Sequence, residues 1–278
     1  MKIIIIPTDF SSAASNALKY GVKLANEVDA GIILFHAYQV PLYATEVSVV
    51  VAETSIAEMR RHAEDALSMI RENIQKDNPE MTKIYTEVRM GDTVSELEKL
   101  SNEIKPFAVV MSSTGHSPLG RVLFGSTTLA TIRHLNFPVI AVPMGTEYKT
   151  IKKIGLASDL NHVSESMPVS FIREITSALH AELHILNVDH RHPKYDPDKN
   201  EQLYEVQTLL KDMKPVFHFV DHVDIEEGIN QFARENQLDL VLTIPKKHNL
   251  FDSVFHKSGS KQILFGSQIP VMSIHEPS

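Results

Sequence analysis

The 278-residue chain is long for one ordinary domain and comfortable for two. Its 43% hydrophobic and 22% charged residues are those of a globular protein and exclude a disordered or fibrous chain. A formal net charge of −8 disfavours nucleic acid and anionic membrane as partners, and the lack of cysteine excludes disulfides and thiolate metal sites.

Lys2 to Ile6 is a continuous β-branched run, the pattern of a strand buried on both faces. Pro7-Thr8-Asp9 interrupts it too early for a signal peptide or a membrane span, and no later run reaches spanning length. The expectation is a soluble, cytoplasmic protein. Thr8-Asp9-Phe10-Ser11 supplies two candidate helix N-caps, and Ala14, Ala17, Leu18, Val22 and Ala25 follow at helical spacing. Ile32 to Phe35 predicts a second strand, Ala57 to Ile74 a helix, Lys83 to Val88 a third strand and Val94 to Ile104 a helix. Phe107 to Met111 predicts a fourth strand, Thr127 to His134 a helix and Pro138 to Val142 a fifth strand. Alternation of this kind means βαβ crossovers and a mostly parallel, doubly wound, flavodoxin-like sheet with helices on both faces.

The pattern then restarts. Ile151 to Ala157 is again a first strand, and Asp159 stands where Asp9 stood. Leu183 to Val188, Val216 to Val220, Leu238 to Ile244 and Pro270 to Ile274 predict the next four strands, with a helix over Ile225 to Glu235. Ser126 falls on Ser258 and Pro138 on Pro270 at one common offset, so the chain reads as a duplicated α/β domain, over 1–146 and 150–278.

Met111-Ser112-Ser113-Thr114-Gly115-His116 leaves the fourth strand, and Gly125-Ser126-Thr127 opens the next helix. Glycines in such a loop let backbone N–H groups approach phosphate oxygens, and a helix N-terminus adds unpaired donors and a favourable dipole. In a doubly wound sheet the ligand crevice opens between the first and fourth strands, which sets Pro7-Thr8-Asp9 opposite this loop. Asp9 could accept hydrogen bonds from an adenine amine or a ribose hydroxyl, and Ala37 could wall the base. Read singly, Asp9 and Ser126 are equally well explained as helix caps.

Ser112-x2-Gly115-x9-Gly125-Ser126 resembles the Gly-x2-Gly-x9-Gly-Ser/Thr nucleotide motif of the universal stress protein family. Pro7-Thr8-Asp9-Phe10-Ser11, the repeat length and the strand–helix order match that family as well. The resemblance covers nearly the whole chain in two copies. It implies an adenine nucleotide, ATP, ADP or AMP, with Asp9 and Ala37 flanking the adenosine. Gly115, His116, Gly125, Ser126 and Thr127 would surround the phosphates, and Mg²⁺ or Mn²⁺ would accompany a triphosphate. Ser112 departs from the family's first glycine, and a left-handed φ there would strain the loop by about 1 kcal/mol.

The second copy lacks the glycines: Lys247 replaces Gly115, Lys257 replaces Gly125 and Ile244 replaces Ser112. A nucleotide is not expected there. Histidines crowd this half, but His218-x3-His222 falls on a strand, where residues four apart lie about 13 Å from one another. They read as scattered surface histidines. Gly115-His116-Ser117-Pro118-Leu119 narrowly misses a nucleophile elbow, and Gly115-x4-Gly120-Arg121-Val122 narrowly misses a P-loop. Slow ATP hydrolysis, or a pure interaction protein with both sites vestigial, are the competing readings. The resemblance also implies pairing of fifth strands, here Pro138 to Val142 with Pro270 to Ile274, in a pseudo-two-fold monomer that can form a homodimer.

Overall fold

The computed structural model describes residues 1–39, 49–113, 125–160, 163–189, 197–245 and 269–275. The chain forms two compact units, one of residues 1–112 and 126–139, the other of residues 113–125 and 140–278.

The first unit opens with β1 (Lys2–Pro7), α1 (Ser12–Glu27) and β2 (Ala30–Tyr38). Next come α2 (Val49–Asp77), β3 (Ile84–Met90), α3 (Thr93–Ile104), β4 (Ala108–Ser113) and α4 (Ser126–His134). The strand order is β3-β2-β1-β4, and the pairings are parallel. β1 is central, with Lys2 opposite Ala30 and Pro7 opposite Phe35 on one side, and Ile4 opposite Ala108 on the other. Ile4, Ile5 and Ile6 are wholly buried, so both faces of the strand are covered, as its unbroken apolar run requires. Each such side chain stabilises the fold by about 1.5–3 kcal/mol.

α1 starts where Ser11 Oγ accepts the Ala14 N–H at 3.1 Å. It approaches β1 closely at Gly21, where a Cβ would lie 2.6 Å from Ile6 Cδ1. α3 is capped by Asp92, whose carboxylate accepts the Ser95 N–H, and is tied to β3 by Arg89, which grips Glu103 and Glu87. α2 runs well beyond the predicted 57–74 at both ends.

The second unit contains β5 (Val139–Pro143) from Ile140 on, β6 (Lys153–Ala157), α5 (Val163–Ser166), α6 (Val169–Leu179) and β7 (Glu182–Asp189). α7 (Pro197–Leu209), β8 (Val216–Asp221), α8 (Ile225–Glu235), β9 (Leu240–Thr243) and β10 (Val271–Ser273) complete it. Its strand order is β5-β10-β9-β6-β7-β8. β6 pairs in parallel with β7, Lys153 opposite Glu182, and with β9, Ile154 opposite Leu240. α8 is capped by Asp224, which accepts from Glu226 and Glu227. It packs Phe232 and Ala233 on Leu186, Val188, Val241 and Val271. β6 begins at Lys153 rather than Ile151, and α5, α6 and α7 are additions to the elements read from the sequence.

Candidate functional site

β1 hands the chain to a turn closed by its own side chains. The Phe10 N–H donates to Thr8 Oγ1 at 3.0 Å and the Ser11 N–H to Asp9 Oδ1 at 3.0 Å. This forces Phe10 into the left-handed region, φ 64°. Pro7 is buried, Thr8 half-buried and Asp9 exposed. Partial burial pushes the Asp9 carboxyl up, but the bonds it accepts from Ser11 outweigh this, helped by nearby His36. The carboxyl therefore titrates below its ordinary value.

β4 pairs with β1 on the side away from β2 and β3, and this reversal of strand order is the switch point at which doubly wound folds hold ligands. Met111 is buried and Ser112 half-buried. Thr128 Oγ1 donates to the Ser112 carbonyl at 2.9 Å, which pins the first turn of α4 to the end of β4. Ser126 and Thr127, at the head of that helix, are exposed. Ser112 is extended strand and is absent from the described non-glycine residues with positive φ. The serine in place of glycine therefore carries no backbone strain.

Ala37 sits two residues past the Pro7–Phe35 pair on β2, half-buried at the same sheet end. The structure thus gathers Pro7, Thr8, Asp9, Ala37, Met111, Ser112, Ser126 and Thr127 along the C-terminal ends of β1, β2 and β4. Gly125 is half-buried and precedes Ser126; Gly115 and His116 lie outside the described residues. Two contacts missing from the sequence reading stand here. His36 donates from Nδ1 to the Thr8 carbonyl at 2.8 Å, since a carbonyl only accepts, and the Phe10 ring lies 4.6 Å from the His36 ring. Neither contact has a signal in sequence spacing.

The universal stress protein family profile matches residues 1–143. The chain belongs to the universal stress protein family. A universal stress protein of Methanocaldococcus jannaschii is 30% identical over 148 residues, which make up 51% of this chain and 81% of that protein. The solved structure of a universal stress protein from Archaeoglobus fulgidus superposes with a TM-score of 0.74 at 19% identity, covering 99% of this chain and 98% of that one. A protein of unknown function from Pseudomonas aeruginosa gives a TM-score of 0.61 at 11% identity, covering 99% and 93%. These two likenesses establish the parallel-sheet α/β, flavodoxin-like fold.

The second unit of this universal stress protein repeats the turn and changes its chemistry. Ser158 Oγ accepts the Leu160 N–H at 3.1 Å, and Leu160 is left-handed at φ 53°. Asp159 is exposed like Asp9, but Leu160 is buried where Phe10 is exposed. Ile244 and Pro245 are half-buried beyond β9; Lys246, Lys247, Lys257 and Ser258 fall outside the described residues.

The histidines require a correction. His184 is buried, 8% exposed, and its Nδ1 lies 3.0 Å from Nε2 of His218. These two are a packed pair rather than scattered surface groups. The pairing escaped the sequence because it joins residues on neighbouring strands. Among the described residues no group of three or more metal-ligating side chains forms. No described helix is long and apolar enough to cross a membrane.

Proposed function

We propose that this family member is a regulatory module of the stress response that binds an adenine nucleotide, ATP, ADP or AMP, in the first of its two repeats, residues 1–146, at the switch point between β1 and β4. The observation that carries the reading is the juxtaposition of the exposed, ionised Asp9 at the end of β1 with the end of β4. Thr128 fixes the exposed head of α4 against that strand end. Asp9 accepts from the adenosine, Ala37 lies against the base, and Ser126 and Thr127 offer N–H and hydroxyl donors to phosphate. Gly115, His116 and Gly125 complete the loop on the strength of the residue pattern. The unstrained backbone at Ser112 supports retention of the site despite the missing glycine.

A Mg²⁺ or Mn²⁺ ion would be carried by the phosphates, whose charge it would offset, with the hydroxyls of Ser126 and Thr127 the protein groups offered to it. The hydroxyls of the exposed Ser126 and Thr127 at the head of α4 suit such an ion, and among the described residues no group of three or more metal-ligating side chains forms. Domains over 1–146 and 150–278, a cytoplasmic location and a pseudo-two-fold monomer able to dimerise belong to the same reading. Equilibrium titration of ATP, ADP and AMP into the full chain tests it: saturable one-to-one binding, lost in Gly115→Lys, is expected. No binding at millimolar nucleotide would leave the interaction-protein reading.

A further inference from the structure

His184 on β7 and His218 on β8 face each other diagonally, because Leu186 is the residue directly opposite His218. Their nitrogens meet at 3.0 Å, their ring centroids are 5.2 Å apart and their planes differ by 17°. Rings that touch through nitrogen while their centres stay this far apart meet edge to edge, nearly coplanar. The lone pair of one then points at the N–H of the other. A metal ion bound by both nitrogens needs lone pairs converging on a third point, so this geometry holds a shared proton and not a cation.

The surroundings assign the proton. His184 Nε2 is buried without a hydrogen-bond partner, and Glu182 Oε2 stands 3.7 Å away, so a proton on Nε2 rather than a lone pair is what the facing carboxylate favours. Nδ1 of His184 is then the acceptor, and Nε2–H of His218 the donor. The charged groups facing the pair are Glu182 on β7 and Lys153 on β6, whose ammonium also bonds the Asn236 carbonyl just past α8. α8 presents Phe232, its ring 4.6 Å from that of His218.

We propose that His184 and His218 form a proton-sharing clasp that holds β7 and β8 under α8 and opens in acid. One added proton, on His218 Nδ1, leaves the N–H···N bond intact and charge-assisted. A second must go to His184 Nδ1. That sets two N–H groups head to head at a 3.0 Å contact and puts two charges into a half-buried corner.

The direction of titration agrees with this geometry. Burial pushes both imidazoles below their ordinary value of 6.5; Lys153 adds to the effect on His184, Glu182 opposes it, and His184 adds to the effect on His218. The folded pair therefore binds fewer protons than the unfolded chain. Its contribution is complete above pH 6.5 and is lost as pH falls below that value.

Histidine side-chain ¹H–¹⁵N NMR on the full chain tests the clasp. At pH 7.5 His184 is expected as the Nε2–H tautomer with a hydrogen-bonded Nδ1. On acidification the folded pair takes up one proton, and the second arrives only with loss of the native α8 and β8 signals. Two imidazoles titrating independently near 6.5, with those signals intact, would overturn the proposal. The double variant His184→Leu/His218→Phe provides the second arm. Each proton bound only by the unfolded chain multiplies the unfolding constant by about tenfold per pH unit. Between pH 7.5 and 5 the variant is expected to lose at least about tenfold of the wild-type rise in urea unfolding. An unchanged rise overturns the clasp, and if the variant does not fold the NMR titration alone decides.

Discussion

His36 donates from Nδ1 to the Thr8 carbonyl at 2.8 Å, and in the second unit Asn187 makes the equivalent bond from Nδ2 to the Ser158 carbonyl at 3.0 Å. The equivalence follows from the strands: the Thr8 N–H donates to Phe35 and the Ser158 N–H to Leu186, each the residue before the donor side chain. Two chemically different side chains thus serve one need, a partner for the carbonyl at the mouth of the crevice turn. Fixing Nδ1–H by this bond leaves Nε2 as the basic nitrogen of His36.

This equivalence predicts that His36→Asn is tolerated and His36→Leu is not. Leucine strips the half-buried Thr8 carbonyl of its partner, and an acceptor left bare and shielded from water costs up to about 1–3 kcal/mol. Urea unfolding is expected to place His36→Asn within about 1 kcal/mol of wild type and His36→Leu below it by the larger amount. Equal losses in both would show that packing against Phe10, and not the hydrogen bond, is what matters.

Gly21 sets two backbone effects against each other. Alanine in a helix interior is favoured over glycine by about 1 kcal/mol. Here its Cβ would stand 2.6 Å from Ile6 Cδ1 and 3.5 Å from Val110 Cβ, against side chains that are wholly buried. Overpacking of this kind costs about 1–3 kcal/mol, so Gly21→Ala is expected to destabilise the first unit. A raised thermal midpoint would mean that Ile6 has another rotamer to adopt.

Arg89 is the ion pair most worth testing. Its side chain is 18% exposed, grips both Glu103 oxygens at 3.1 and 2.7 Å, and meets Glu87 at 2.8 Å. Arg89→Leu is expected to loosen α3 from β3 by more than truncation of an exposed arginine would, because Arg89 is itself little exposed even though Glu103 reaches solvent. The more exposed pairs Arg60–Glu64 and Arg173–Asp212 are expected to contribute little on truncation of the arginine, solvent screening both partners. Chemical unfolding of the three variants side by side gives the ranking.

Much of this architecture was legible because burial leaves a simple trace. The run Lys2 to Ile6 announced β1, and the match of Ile225 to Glu235 to the helix after the third strand of the first repeat announced α8 at its observed limits. α7 left no such trace: Pro197–Leu209 is polar nearly throughout, with Tyr204 exposed, so it has no marked apolar stripe to read. Long-range side-chain contacts were hidden for a different reason. Thr128 to Ser112, His36 to Thr8 and His184 to His218 each depend on strand register or helix placement. Residue spacing along the chain carries no record of either.

Asp9 and Ser112 carry the last prediction. The Asp9 carboxyl titrates below 3.8, so it is ionised throughout the neutral and mildly acidic range. Its favourable contribution is present above that value and lost only below it, and nucleotide affinity should therefore show no step attributable to Asp9 between pH 5 and 7. Asp9→Asn leaves the Ser11 turn an acceptor but removes the charge. Asp9→Ala removes both, and is expected to weaken adenosine binding by about tenfold, the worth of one hydrogen bond to a charged group. Ser112→Gly is the complementary test. Because Ser112 is already extended, glycine relieves nothing, and affinity should stay within about threefold of wild type, as for a substitution that changes no contact. Tight binding that appears only in Ser112→Gly would show instead that the serine side chain itself blocks the crevice, with the backbone beneath it competent all along.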